Sequence, residues 1–405
     1  MNQMQTLVAP TLITHWAIVN FCAPCDIRNL CRDLLRCSKA KGIDLREPYT
    51  VIQENQQSSR NPAPVRVELM FEEIQQKLPG PPRFLLCILP ERKNSDIYGP
   101  WKRKCLVDHG IVTQCMAPTC IDDQYLTNLL LKINAKMGGL NTLLSVECLQ
   151  SIPFVSSIPT MIFGMVLSHS GSDVPSTAAI VSSRKWPLIC RYRASARAQS
   201  ARVETIDGLF EPVSPERDEG MIRELLEDFY QSTSKACRFI RDDYWDPKFT
   251  VIVTQKAQRT NFLQPKPDAN VPPGTIIDTE ICHPKNNDFY LCAQNGPLVS
   301  IIQTRVCIYL IHLCLKNSLL LRGLYGVHIT TCFLIKSVSL LMTCKSWFIL
   351  CHMFAPIWYA HQAAALMSQF VNSDMTSNSS GGGGGGGFTQ IPKLHENVCD
   401  SMFFC

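Results

Sequence analysis

Lys132 and Lys136 stand four residues apart, a spacing that puts two ammonium groups on one helix face and lets them hold an anion together. The same pair would serve as cations complementing the partial negative charge of a helix C-terminus, and spacing alone favours this second reading, since two lysines on a helix are commonplace. Tyr98 likewise has two readings, as a ring able to stack on a nucleobase or as a half-buried packing residue. Cys22-Ala-Pro-Cys25, followed by Cys31 and Cys37, resembles the start of a zinc site. No His and no second Cys-x-x-Cys lies at ligand spacing, so no metal is expected there. Asp26 is instead expected to cap a helix whose apolar face is Ile27, Leu30, Cys31, Leu34 and Leu35.

The lysine pair is carried by a helix predicted over Asp122–Met137, with Leu126, Leu129, Leu130 and Ile133 inward and Gly138-Gly139 as its stop. Upstream, Phe84–Pro90 reads as a buried strand, and the polar stretch Glu91–Asp96 as a loop following it, a common place for ligands. Helices alternating with strands predict α/β layers. A second α/β region begins near Ser151: MIFGMVLS reads as a buried strand, the stretch to Gln199 as a hairpin-rich continuation, and FTVIVTQK from Phe249 as another strand. Residues 372–387, ending in a polyglycine run, read as a flexible surface loop.

A chain of 405 residues, 46% hydrophobic and 18% charged, can bury two or three cores, and a net charge of +5 demands local cation clusters for any nucleic-acid contact. Its twenty cysteines come without a signal-peptide pattern over Met1–Trp16, so a reduced intracellular compartment is expected. Pro297–Met353 is anomalous: it has no Asp or Glu, and its apolar residues show no sustained period. Arg305, Lys316, Arg322, Lys336 and Lys345 cut it so that no uncharged run reaches the roughly 18 to 20 residues of a membrane span.

Several separated segments carry a resemblance: FEEIQQKLPGPPRFLLCILPERKNSDIYGPWKRK, GIVTQC, YLTNLLLKINAKMGGLN, SDVPSTAAIVSSRKWPLICRYRAS, VPPGTIID, ICHPKNNDFYLCA and the terminal SMFFC. In content and order they are similar to plant Argonautes, especially the clade of RNA-directed DNA methylation. The resemblance implies a linker over 1–20, a Rossmann-like α/β MID domain over 21–150, and an incomplete RNase H-like PIWI domain over 151–405, with 297–353 aberrant. The family's N-terminal and PAZ domains have no counterpart. Residue by residue, Tyr98, Lys102, Gln114, Lys132 and Lys136 match the pocket that holds a guide RNA's 5′-phosphate, and Glu91–Asp96 the loop that reads its first base.

Slicing members of the family hold two divalent ions with an Asp-Glu-Asp-His set, one ion for the attacking water and one for the leaving oxygen. Val166 stands where the first Asp belongs, Glu204 and His361 match the glutamate and the histidine, and the loop carrying the second Asp is missing; Asp242 is a weak substitute. No catalytic set is therefore intact, the ancestral Mg²⁺ site is expected to be lost, and no cofactor is expected. Ordinary codons for Val338–Ser346 read two bases later permit FSADDLQE, as PIWI domains carry there, so Pro297–Met353 reads as out-of-frame or intron-derived sequence and the PIWI half is expected to fold poorly. The leading reading is a guide-RNA-binding silencing protein without slicing, with a complementary RNA target and Gly-Trp-motif silencing proteins as further partners, in the nucleus or cytoplasm. A two-metal endonuclease using Glu204, His361 and another acid, and a non-functional pseudogene product, are the alternatives.

Overall fold

The computed structural model describes residues 6–91, 95–118, 121–143, 161–169, 174–184, 190–201, 203, 206–209, 211–214, 217–225, 249–255, 271–272, 275–282, 287–292, 303–311, 331–334, 354–378 and 391–405. They form two units, Met1–Leu143 with Leu366–Cys405, and Leu144–Ala365.

The first unit is built on four parallel strands in the order Val51–Gln53, Trp16–Asn20, Phe84–Ile88 and Val112–Met116. Parallel neighbours require crossover connections, which the helices Ile27–Lys41, Ala63–Lys77 and Tyr98–Arg103 supply in turn. Helices on a parallel sheet bury its strands on both faces, and Trp16–Asn20 and Phe84–Ile88 are accordingly buried along their whole length. The expected linker over 1–20 is thereby corrected: its last five residues are an inner strand, with Trp16 fully buried and its indole donating to the Arg46 carbonyl. Asp26 caps the first helix as expected, its carboxylate accepting from the backbone N–H groups of Arg28 and Asn29. Along that helix Ile27, Leu30 and Leu34 are buried, joined by Cys37, while Cys31 and Leu35 are only half-buried.

The expected boundary between domains is also corrected at its far end. Leu366–Cys405 packs with the first unit, not with the second. The His395 backbone N–H donates to the Leu106 carbonyl at 3.0 Å, and Phe403 and Phe404 are buried. Gly110, at φ +63°, leaves no space for a larger residue, since a Cβ there would lie 2.3 Å from His395 Nδ1.

The second unit carries an eight-stranded sheet in the order Ile276–Ile277, Asn287–Cys292, Gln303–Ile311, Phe249–Gln255, Thr331–Leu334, Ile162–Ser168, Ser176–Ser183 and Tyr192–Gln199. Every pairing is antiparallel. The strand expected at MIFGMVLS, the hairpin after it and the strand from Phe249 are all present. Two strands come from the anomalous Pro297–Met353 segment, because Gln303–Ile311 and Thr331–Leu334 concentrate Val, Ile, Thr, Tyr and Phe, the residues that suit a pleated ladder.

The helix Phe354–Asn378 begins against the second sheet: a Cβ on Gly164 would meet the Pro356 carbonyl group at 2.3 Å, so the close approach requires glycine. The loop expected over 372–387 is corrected at its start, since this helix runs through Asn378. Once nucleated, a helix gains one hydrogen bond for each residue added, and that outweighs the weak propensity of its Asn, Ser, Asp and Thr. The polyglycine run lies outside the described residues. Among the described residues no helix is long and apolar enough to cross a membrane.

Candidate anion site

One helical turn separates Tyr98 from Lys102 on the short helix Tyr98–Arg103, and the Lys102 ammonium lies 5.8 Å from the centroid of the Tyr98 ring. Past Arg103 the winding loosens into a π-turn over Lys104–Asp108, a device often found beside functional sites. The adjoining strand Val112–Met116 supplies the acceptors. Lys102 Nζ donates to the Thr113 carbonyl at 2.9 Å. Thr113 is itself pinned, its hydroxyl accepting from Trp101 Nε1 and donating to the Leu85 carbonyl, both at 3.0 Å.

The helix predicted to carry the lysine pair spans Asp123–Lys136, with Leu126, Leu129, Leu130 and Ile133 buried as expected. It ends at Lys136, and Gly138 follows in a left-handed conformation at φ +87°. Lys136 Nζ donates to Gln114 Oε1 at 2.7 Å and reaches the Thr113 carbonyl at 3.4 Å, while Gln114 Nε2 donates to the Cys115 carbonyl at 2.7 Å. Lys102, Gln114 and Lys136 are 2%, 8% and 3% exposed. Four of the five expected residues are therefore brought together. Lys132 lies one turn back on the same helix, exposed, within electrostatic reach of Lys136 and of the terminal Cys405.

The electrostatics are those of a cation pair lacking a carboxylate: among the described residues no Asp or Glu pairs with Lys102 or Lys136. Burial and then the Lys102 charge push the Lys136 ammonium well below the usual lysine value. Burial works against the Lys102 charge too, but the Cys115 thiol and the Tyr98 phenol beside it hold its pKa above the usual value. Burial alone would raise the Cys115 thiol; its hydrogen bond with Cys87 and the two ammonium charges outweigh that and bring it down to about 7. A buried charge without a counter-ion is costly, and an incoming dianion relieves that cost. The helix-terminus reading of the lysines does not describe Lys136, whose ammonium turns into the sheet.

Three participants were missed in the sequence: Thr113 acts through its backbone, which no side-chain motif announces, Cys115 reads as an ordinary buried thiol, and Cys405 lies far along the chain. Of the positions matched to the slicing set, two lie among the described residues. Val166 is buried in the strand Ile162–Ser168 opposite Ala179, and His361 is exposed on the helix Phe354–Asn378. Glu204 and Asp242 lie outside the described residues. Among the described residues no three His, Cys, Asp or Glu side chains are placed to hold a metal ion.

The Piwi domain family matches residues 84–241 and 234–306. Protein argonaute 4A of Oryza sativa subsp. japonica is 46% identical over 439 aligned positions, covering 98% of this chain and 47% of the relative, so the chain spans about half the length of that relative. Among solved structures, the C-terminal lobe of a budding yeast Argonaute superposes with a TM-score of 0.70 at 16% identity, covering 99% of this chain and 87% of that one. A Kluyveromyces polysporus Argonaute with a guide RNA gives a TM-score of 0.65 at 16% identity, covering 97% of this chain and 51% of that one.

Proposed function

The chain belongs to the Argonaute family, and we propose that its first unit holds the 5′-phosphate of a small guide RNA in gene silencing while its second unit does not cut the paired target. The observation that carries the first half is the carboxylate-free pair Lys102 and Lys136, both buried, joined through Thr113 and Gln114. A terminal phosphate offers the charge and the several acceptor oxygens that this donor set lacks. Tyr98, half-buried beside Lys102, supplies a ring face for the first base. The solved Argonaute holding a guide RNA supports RNA as the class of partner.

For the second half, the residues present do not fit a pair of divalent ions. Val166 offers an isopropyl group where a carboxylate is needed, and its neighbours Met165 and Leu167 offer no oxygen. The 439 aligned positions exceed the 405 residues of the chain, so the rice relative carries segments that this chain lacks, in keeping with a missing Asp loop.

Titration of the chain with a 5′-phosphorylated and a 5′-hydroxyl RNA of one sequence, at one salt concentration, tests the phosphate site. The phosphorylated RNA is expected to bind more tightly, by about 1.5 to 3 kcal/mol for each charge-assisted contact. Equal binding of the two RNAs, or no effect of Lys102→Ala, would overturn it.

A further inference from the structure

Away from the phosphate site, the outer side of the Ile27–Lys41 helix walls a groove of about 810 Å³, bounded opposite by Glu47, Pro48 and Val51. Helical spacing lines this wall with Arg28, Arg32, Arg36 and Lys39. Arg36 is engaged by Asp123 at 2.6 Å and Arg32 more loosely by its neighbour Asp33 at 3.7 Å. Among the described residues Arg28 and Lys39 have no ion-pair partner, and Glu47 is the sole acid in the lining. The floor is apolar, formed by Ile27, Leu35 and Val51, the last 36% exposed.

Val51 also belongs to the outer strand of the parallel sheet, Val51–Gln53, which pairs on one side only among the described residues. The Thr50 carbonyl accepts from the Ile18 N–H at 3.2 Å, and the Glu54 N–H donates to the Asn20 carbonyl at 2.9 Å. A parallel ladder alternates inward and outward groups, so the N–H and C=O of Val51 and Gln53 turn away from the sheet, beside the groove.

We propose that this groove docks an extended acidic segment of a partner protein, one alternating Asp or Glu with branched apolar residues, added along the Val51–Gln53 edge. Strand addition supplies main-chain hydrogen bonds, and a period of two turns one set of side chains, the acidic one, toward the helix and its cationic wall. A single-stranded nucleic acid fits less well, because no aromatic ring lines the groove on which bases would stack.

The test is fluorescence anisotropy with the whole chain and a fluorescein-labelled peptide alternating Glu and Val. Saturable binding is expected, weakened roughly tenfold or more by Arg28→Glu/Lys39→Glu and less by Arg28→Gln/Lys39→Gln, since charged groups at an interface set complementarity and encounter. Replacing each Glu of the peptide by Gln should have a comparable effect, while affinity for a 5′-phosphorylated RNA stays unchanged. Both side chains are exposed and have no ion-pair partner among the described residues, so the variants should melt at the parent's Tm. Equal peptide binding by parent and both variants would overturn the proposal, as would loss of affinity for a 5′-hydroxyl oligouridylate in place of the peptide.

Discussion

Lys102 and Lys136 donate to one oxygen, the Thr113 carbonyl, at 2.9 and 3.4 Å. One carbonyl has two lone pairs and no net charge, so it orients two ammonium groups without neutralising either. The arrangement is therefore poised for an anion and costly without one, which ties stability and binding together.

Lys136→Met is expected to stabilise the unliganded protein and to abolish preference for a 5′-phosphate. The sign follows from the depressed Lys136 pKa: between that value and 10.5 the unfolded chain binds the proton that the folded chain has released, so stability rises with pH across this window. Denaturant unfolding at several pH values should show that rise in the parent and its loss in Lys136→Met. A variant less stable than the parent throughout would contradict the assignment.

Affinity for a 5′-phosphate should fall as pH rises above about 7, the value to which Cys115 is brought down. The change that acts there is at Cys115, whose thiol becomes an anion inside the site. The phosphate, with its second ionisation near 6, is already doubly charged and does not compensate. Cys115→Ser should flatten the fall, as measured by titration across this range.

Removing one partner of the Arg66–Glu54 pair should be strongly destabilising. Their atoms meet at 2.6 Å, with the Glu54 side chain 1% exposed. Arg66→Met strands a buried carboxylate, expected to cost about 3 to 5 kcal/mol, whereas Arg66→Met/Glu54→Leu should regain most of it. Comparing both with the parent by urea unfolding measures the coupling directly.

The first unit was legible where the signals are local. Asp26 before an apolar helical stripe marked where a helix starts, while the run FLLCI, and Leu126, Leu129, Leu130 and Ile133 ahead of two glycines, each located an element to within a residue or two. The Trp16–Asn20 strand was passed over because its place in the sheet is set by pairing with Phe84–Ile88, some sixty residues on. The pocket residues Lys102 and Gln114 came from family resemblance rather than spacing, since nothing local brings a helix and a strand together. Gln303–Ile311 and Thr331–Leu334 were given no element because their apolar residues show no sustained period, yet β-branched residues pair in a sheet without regard to how the sequence arose.

Val166→Asp alone is expected to restore no guide-directed cleavage with Mg²⁺ or Mn²⁺ and a fully matched target. On the function proposed above, a single restored carboxylate cannot set the spacing and charge of two ions without a second Asp. Target cleavage by parent and variant, each loaded with a 5′-phosphorylated guide, is the assay. Cutting opposite the guide's centre by the parent would contradict the reading of the second unit.

Met1–Leu143 and Leu366–Cys405 make one unit, with all of Leu144–Ala365 lying between them in sequence. During synthesis the sheet and its helices leave the ribosome long before His395, Phe403 and Phe404 exist. The apolar surface that these residues cover must stay bare, or be sheltered by a chaperone, until they have been made. Completion of this unit is then limited by closing a very long loop, not by winding its helices. A lysine site that needs so little local sequence thus depends, for its finished form, on residues made long after it.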